Sequence, residues 1–152
     1  MPSPERQTAD KLVAAYNAMD VDTIIGLRTS SCTRVFLPSS LNFAPQTNAA
    51  FRENLAAVTA VFTSFRLVVD DVVEGVSDAG RKRIVLYVSA SGETPVGDYR
   101  NQYVWNMGFS DDGQRVSEWT EFVDVGVARD FPAAFAKAQA AAGATLPAGG
   151  SV

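Results

Sequence analysis

Apolar residues recur at helical spacing near the start of the chain. Leu12, Val13, Tyr16 and Met19 predict a helix from about Glu5 to Met19, punctuated at its start by Pro2 and Pro4. Asp22 is placed to cap a second, short helix from Thr23 to about Arg28, with Ile24, Ile25 and Leu27 as its apolar residues. Cys32 to Leu37 (CTRVFL) reads as a short strand that stops at Pro38. After the irregular segment PSSLNFAPQT, the spacing of Phe51, Leu55, Val58 and Phe62 predicts a third helix from Asn48 to about Thr63. Beyond Ser64 the period changes. Four strands are predicted, from Phe65 to Gly75, Arg81 to Ser91, Asp98 to Ser110 and Gln114 to Val125. Turns at Asp78-Ala79-Gly80, Gly92 to Gly97 and Asp111-Asp112-Gly113 separate them. A last helix runs from about Val127 to Ala142, with Phe131 and Phe135 on one face. The tail GATLPAGGSV is expected to be mobile.

Helices gathered at the start and strands gathered later define an α+β order. The consecutive strands predict an antiparallel meander, one face covered by helices and the other open to solvent or to a second copy. We read residues 1–142 as one domain and 143–152 as its tail. Composition fits this reading: 152 residues, 47% hydrophobic and 20% charged, suffice for one well-filled core. A net charge of −4 argues against a nucleic-acid partner. The chain has no histidine, which removes Ser-His and Cys-His nucleophiles and the common zinc sites, so we expect no metal. Acid–base chemistry near neutral pH falls to a tuned carboxylate, tyrosine, lysine or arginine. The single cysteine, Cys32, reads as a small buried side chain in a reducing, cytoplasmic setting. No apolar stretch resembles a signal segment or reaches the roughly 18 to 20 residues of a membrane span.

Strand parity brings chemistry into view. Between Asp98 and Ser110 one face carries Tyr99, Asn101, Tyr103, Trp105, Met107 and Phe109. Such a face either lines a ligand pocket with a few polar tips or forms a core whose hydroxyls find local partners. In the next strand Glu121 travels with Trp119 and Val123. A carboxylate on an aromatic face has its pKa raised unless a cation is near. Arg28 shares a helical face with Ile24, so Arg28 with Glu121 is a candidate buried pair. The alternative leaves Glu121 in solvent and Arg28 on a wet helix surface. Asp70, Asp71 and Glu74 offer only a superficial metal cluster, since parity separates the two aspartates.

These segments, above all GDYRNQYVWNMGFSDDGQRVSEWTEFVD, resemble the fungal SnoaL-like branch of the NTF2-like superfamily, from about Pro4 to Ala142. The resemblance implies a cone: a strongly curved antiparallel sheet packed on N-terminal helices around one deep cavity. It also implies a homodimer and cofactor-free chemistry on a hydrophobic small molecule, with no nucleic-acid or membrane partner. Ketosteroid isomerases of this superfamily place a general-base aspartate where Leu37 stands, and its scytalone dehydratase-like members use histidines. Many fungal relatives have histidine near Arg34 and Glu in place of Gln102. The acidic residue of the SnoaL cyclases' last strand aligns with Glu121 in EWTEFVD.

The set Arg28, Tyr99, Tyr103 and Glu121 is similar in type and spacing to the catalytic set of the family's semipinacolases, which convert an oxidised indole to a spiro-indoxyl. The resemblance implies Arg28 and Glu121 as acid–base pair and Tyr99 and Tyr103 as orienting hydroxyls. Trp105, Trp119, Phe36, Asn101 and Leu37 would then line the substrate site. Two other readings stand beside it: an isomerase or cyclase of polyketides or meroterpenoids, and a non-catalytic ligand-binding or dimerisation module.

Overall fold

The structure, a computed structural model, describes residues 1–142, with the side chains of Phe135, Ala138, Gln139 and Ala142 outside the description. The tail expected to be mobile therefore lies outside the described residues, as does the side chain of Phe135, expected on one face with Phe131.

Helix α1 (Pro4–Asn17) starts where the Ser3 hydroxyl accepts from the Arg6 amide at 3.1 Å, with Pro4 at its first turn. Ala9, Leu12 and Tyr16 form its buried stripe. The helix ends before the expected Met19, which has a φ of 52° in the left-handed region. Asn17 then ties the helix end to the sheet. Its side chain accepts from the Leu67 amide at 2.7 Å and donates to the Leu67 carbonyl at 3.1 Å. Helix α2 (Val21–Gly26) is capped by Asp20, which accepts from the Thr23 amide at 3.1 Å. Asp22, the expected cap, falls inside the first turn instead. Helix α3 (Asn48–Val61) turns Phe51, Leu55 and Val58 inward, as its spacing predicts.

The strands are β1 (Arg34–Leu37), β2 (Ser64–Val76), β3 (Lys82–Thr94), β4 (Gly97–Phe109) and β5 (Val116–Val123), in the sheet order β1-β5-β4-β3-β2. β2 to β5 form the expected antiparallel meander, while β1 joins it in parallel against β5. The turn expected from Gly92 to Gly97 is shorter. Strand pairing continues to Thr94 opposite Gly97, and Gly92 lies within β3. A β-carbon at Gly92 would sit 2.6 Å from the Phe62 ring, so glycine here makes room for the residue that caps the C-terminus of α3.

A bulge in β2 between Val69 and Asp71 resets parity in the rest of that strand. Val72 pairs with buried Leu86 and packs against the core, while Val73 is turned out. The same bulge leaves both Asp70 and Asp71 exposed, so parity does not separate them as expected.

The helix-covered face collects Leu67, Ile84, Leu86, Val88, Tyr103, Trp105, Met107 and Trp119 against α1, α2 and α3. Helix α4 (Val125–Ala142) follows β5. Its Phe131 meets Tyr99 edge-on at 4.7 Å between ring centroids.

Candidate active site

Glu121 and Trp105 lie directly opposite each other on β5 and β4, on the buried face. Phe36 of β1 is opposite Glu121 on the other side, and Arg34, two residues earlier, shares that face. Parallel pairing of β1 with β5 thus brings Arg34 beside the carboxylate. Arg34 Nη2 donates to Glu121 Oε1 at 2.8 Å and to Oε2 at 2.9 Å, and Nη1 donates to Gln46 Oε1 at 3.3 Å. Arg34 is 2% exposed and Glu121 0%. The guanidinium also lies over the rings of Phe36 at 4.8 Å, Phe51 at 4.6 Å and Trp119 at 5.4 Å.

Burial raises the Glu121 carboxyl above its ordinary range, and the facing Arg34 guanidinium only partly offsets this. The Trp105 indole favours the carboxylate a little further, although its N–H makes no well-formed hydrogen bond. Burial disfavours the Arg34 cation, but Glu121 together with Tyr16 and Tyr103 more than offsets this, so the arginine stays charged.

The expected partner of Glu121 is corrected by this geometry. Arg28 is buried as expected, at 3% exposure, but its Nη2 donates to the carbonyls of Cys32 at 2.9 Å and Gln46 at 3.1 Å. Helix α2 ends at Gly26, so Arg28 does not continue the Ile24 face; its backbone bridges to Val116 at the start of β5. Its guanidinium lies over Phe51 at 4.7 Å. Burial and the nearby Arg34 charge lower the Arg28 pKa, against an opposing pull from Cys32. Two buried cations therefore share the Phe51 ring, and Glu121 pairs with Arg34.

The tyrosines assemble as expected from parity. Tyr99 and Tyr103 hydroxyls lie 2.6 Å apart, and Asn101 Nδ2 donates to the Tyr99 hydroxyl at 2.7 Å. Burial raises both phenols, and the Glu121 charge adds to this. Tyr103 stacks on Trp105 at 6.0 Å, so the polar tips of β4 lead toward Glu121. Trp105, Trp119 and Phe36 wall the Arg34–Glu121 pair. Leu37 does not join them: the alternation of β1 turns it to the opposite face, beside Phe122 in register.

Three residues escaped the sequence reading. Arg34 alternates with Phe36 and so shares its inward face, a legible signal, but its nearness to Glu121 needed the parallel pairing. Gln46 sits in a segment without periodicity and reaches Arg34 through a backbone bridge. Tyr16 was legible as a core position of α1. Its hydroxyl, raised by burial, senses the charges of Arg34, Glu121 and Arg28. A larger concavity of about 610 Å³ lies elsewhere, along Glu5, Lys82, Arg81 and Glu118. Its charges neutralise one another in the pairs Lys82–Glu5 and Arg81–Glu118.

A helix-backed curved sheet with a buried Arg–Glu pair on its concave face defines a small α+β domain with an interior polar centre. No protein-family model matches the chain. Austinoid biosynthesis clusters protein J of Emericella nidulans is 30% identical over 118 residues, 77% of this chain and 72% of that protein. Monooxygenase dmxR10 of Cryptosporiopsis is 27% identical over 142 residues, 90% of this chain and 93% of that protein. The crystal structure of BvnE pinacolase from Penicillium brevicompactum superposes with a TM-score of 0.75 at 27% identity, covering 91% of this chain and 92% of that one. Structures of an NTF2-like protein and a SnoaL-like polyketide cyclase, much more distant in sequence, share the fold. The chain belongs to the family of fungal proteins that includes austinoid biosynthesis clusters protein J, and it has the NTF2-like, SnoaL-like fold.

Proposed function

We propose that this protein is an isomerase or cyclase of fungal secondary metabolism whose acid–base machinery is the buried Arg34–Glu121 pair. That pair, walled by Trp105, Trp119 and Phe36, is the observation that carries the reading. The similarity to BvnE pinacolase supports a finer assignment, a semipinacol-type rearrangement of an oxidised indole. In that reaction Glu121 takes the proton of the substrate hydroxyl as its C–O bond becomes a carbonyl. The migrating substituent carries its bonding pair to the adjacent imine carbon, and the imine nitrogen receives the proton back from Glu121. Atoms and charge balance within one molecule, so the step needs no external redox partner. Arg34 holds the carboxylate and stabilises developing negative charge, while Tyr99 and Tyr103 orient the substrate. Arg28 takes a supporting place, fixing Cys32 and Gln46 around Arg34.

Glu121→Gln keeps the shape of the side chain and removes the base, so turnover should fall roughly 10²- to 10⁴-fold in a folded protein. Near-native turnover and product ratio in that variant would sink the assignment. The relationship to an austinoid-cluster protein favours a second reading, with a polyketide or meroterpenoid substrate. Offering the protein an oxidised indole and a polyketide-derived intermediate, and asking which changes skeleton, separates the two. The relative named a monooxygenase makes oxygen dependence worth measuring. An isomerase turns over equally under nitrogen, whereas a reaction that consumes oxygen stops.

We further propose that two copies pair through the sheet face turned away from the helices, which exposes Val68, Val73, Tyr87 and Phe122. The buried free thiol of Cys32 fits a reducing cytoplasm as the setting. No helix among the described residues is long and apolar enough to cross a membrane.

A further inference from the structure

Gln46 touches both buried arginines and carries no charge of its own. It lies between β1 and α3, is 5% exposed, and immediately precedes Thr47, the cap of α3. Its main chain is pinned opposite Arg34. The Arg34 amide donates to the Gln46 carbonyl at 2.9 Å, and the Gln46 amide donates to the Arg34 carbonyl at 2.9 Å. Arg28 Nη2 donates to the same Gln46 carbonyl at 3.1 Å, which uses its second lone pair. Residues directly opposed in such a bridge meet side chain to side chain. Gln46 Oε1 accordingly accepts from Arg34 Nη1 at 3.3 Å.

This contact bears on how Arg34 meets Glu121. A guanidinium frequently grips a carboxylate with two nitrogens, each donating to one oxygen. Here both Glu121 oxygens take their bonds from Nη2, while Nη1 is engaged by Gln46. The residue type matters as much as the contact. An apolar side chain at this position would leave Nη1 without an acceptor in the interior, beside Nε, which has none. A carboxylate would divide the Arg34 charge between two anions. A carboxamide supplies an oxygen with partial negative charge and adds no net charge.

We infer that Gln46 is a positioning residue of the acid–base pair: its carboxamide oxygen engages Nη1, leaves Glu121 to Nη2 alone, tempers the positive field at the carboxylate and so sets how strongly Glu121 holds a proton. The other groups around the pair carry no competing charge. Tyr16 of α1 and Tyr99 and Tyr103 of β4 sense Glu121, but burial raises their phenols, so they stay neutral where a carboxyl titrates. Arg28 is spent on the carbonyls of Cys32 and Gln46, and α3 presents the uncharged Phe51 ring to both guanidiniums. The consequence for turnover rests on the isomerase reading above; the effect on the proton does not.

The test uses the full chain with carbon-13 in its glutamate carboxyls, titrated by nuclear magnetic resonance. The Glu121 signal is the one lost in Glu121→Gln. Gln46→Met removes the acceptor at nearly constant volume, so Glu121 should ionise at lower pH, its ionisation constant raised roughly three- to tenfold. Gln46→Glu adds a second carboxyl beside the same guanidinium. The last proton should then leave the two carboxyls at higher pH than it leaves Glu121 in the unsubstituted protein. Opposite shifts separate positioning from a merely structural role, because a loosened, wetter interior moves Glu121 downward in both variants. The unsubstituted protein adds a check that needs no variant to fold: a nuclear Overhauser contact between the Gln46 amide protons and the Arg34 Nη1 protons. A Gln46→Met midpoint that does not fall, a Gln46→Glu midpoint that does not rise, or absence of that contact overturns the inference. Those outcomes leave the acid–base reading standing, because the turnover of Glu121→Gln tests it. Opposite shifts together with native turnover in Glu121→Gln would remove that reading and keep this inference.

Discussion

At the scale of single residues, the centre of the molecule is an ion pair withdrawn from water. Taking both charges out of solvent is costly, and their attraction returns that cost only with good geometry, which two short bonds from one Arg34 nitrogen provide. Removing one partner strands the other. Arg34→Met should therefore destabilise the fold by about 3–5 kcal/mol, read by urea denaturation, and the double variant Arg34→Met with Glu121→Leu should recover most of that loss. Turnover should be lost in both. The pH dependence follows from the direction of the Glu121 shift. Folding raises this carboxyl, so the native state holds its proton more tightly than the unfolded chain. Glu121 contributes stability below the ordinary carboxylate value, and that contribution is lost as pH rises through the raised value. Activity runs the other way, because the base form is needed: turnover should climb as pH passes the raised value. An activity profile already flat from the ordinary carboxylate range upward would exclude Glu121 as the titrating base.

At the scale of elements, two small contacts decide how the helices meet the sheet. Asn17 replaces the missing continuation of α1 with two bonds to the β2 backbone at Leu67. Asn17→Ala should cost about 1–3 kcal/mol by chemical denaturation, since it leaves partly buried main-chain groups unpaired. The cap of α2 offers a sharper comparison. Asp20 accepts from both the amide and the hydroxyl of Thr23, and these bonds hold its carboxyl below the usual value. Its contribution is present above the unfolded carboxylate value and lost as pH falls through the lowered one. Asp20→Ala should lower the thermal midpoint more than Asp22→Ala at neutral pH, and the gap should close in acid.

At the scale of the whole molecule, the sheet has two different faces. One is sealed by helices around Trp105, Trp119 and Tyr16. The other carries Tyr87 of β3 and Phe122 of β5, 44% and 50% exposed, on either side of Val104 of β4. Such a face suits a second copy, whose equivalent surface is equally apolar. Light scattering should return twice the chain mass of 16.2 kDa, and Phe122→Asp should shift it toward one copy without altering the interior. A single-chain mass for the unsubstituted protein would refute the pairing.

Periodicity and parity alone determined the α+β class, the helix stripes, the four long strands, the shared face of Tyr99, Tyr103 and Trp105 within β4 and that of Trp119 and Glu121 within β5. Those features are local, set by spacings of two and of three to four residues that the chain carries in itself. What only the tertiary structure decided is non-local. The parallel seating of β1 against β5 chose Arg34 over Arg28 as the partner of Glu121, and joined residues 87 positions apart. The bulge in β2 turned Val72 inward, because one extra residue inverts every position after it. The early end of α2 moved Arg28 off its helical face to bond main-chain carbonyls.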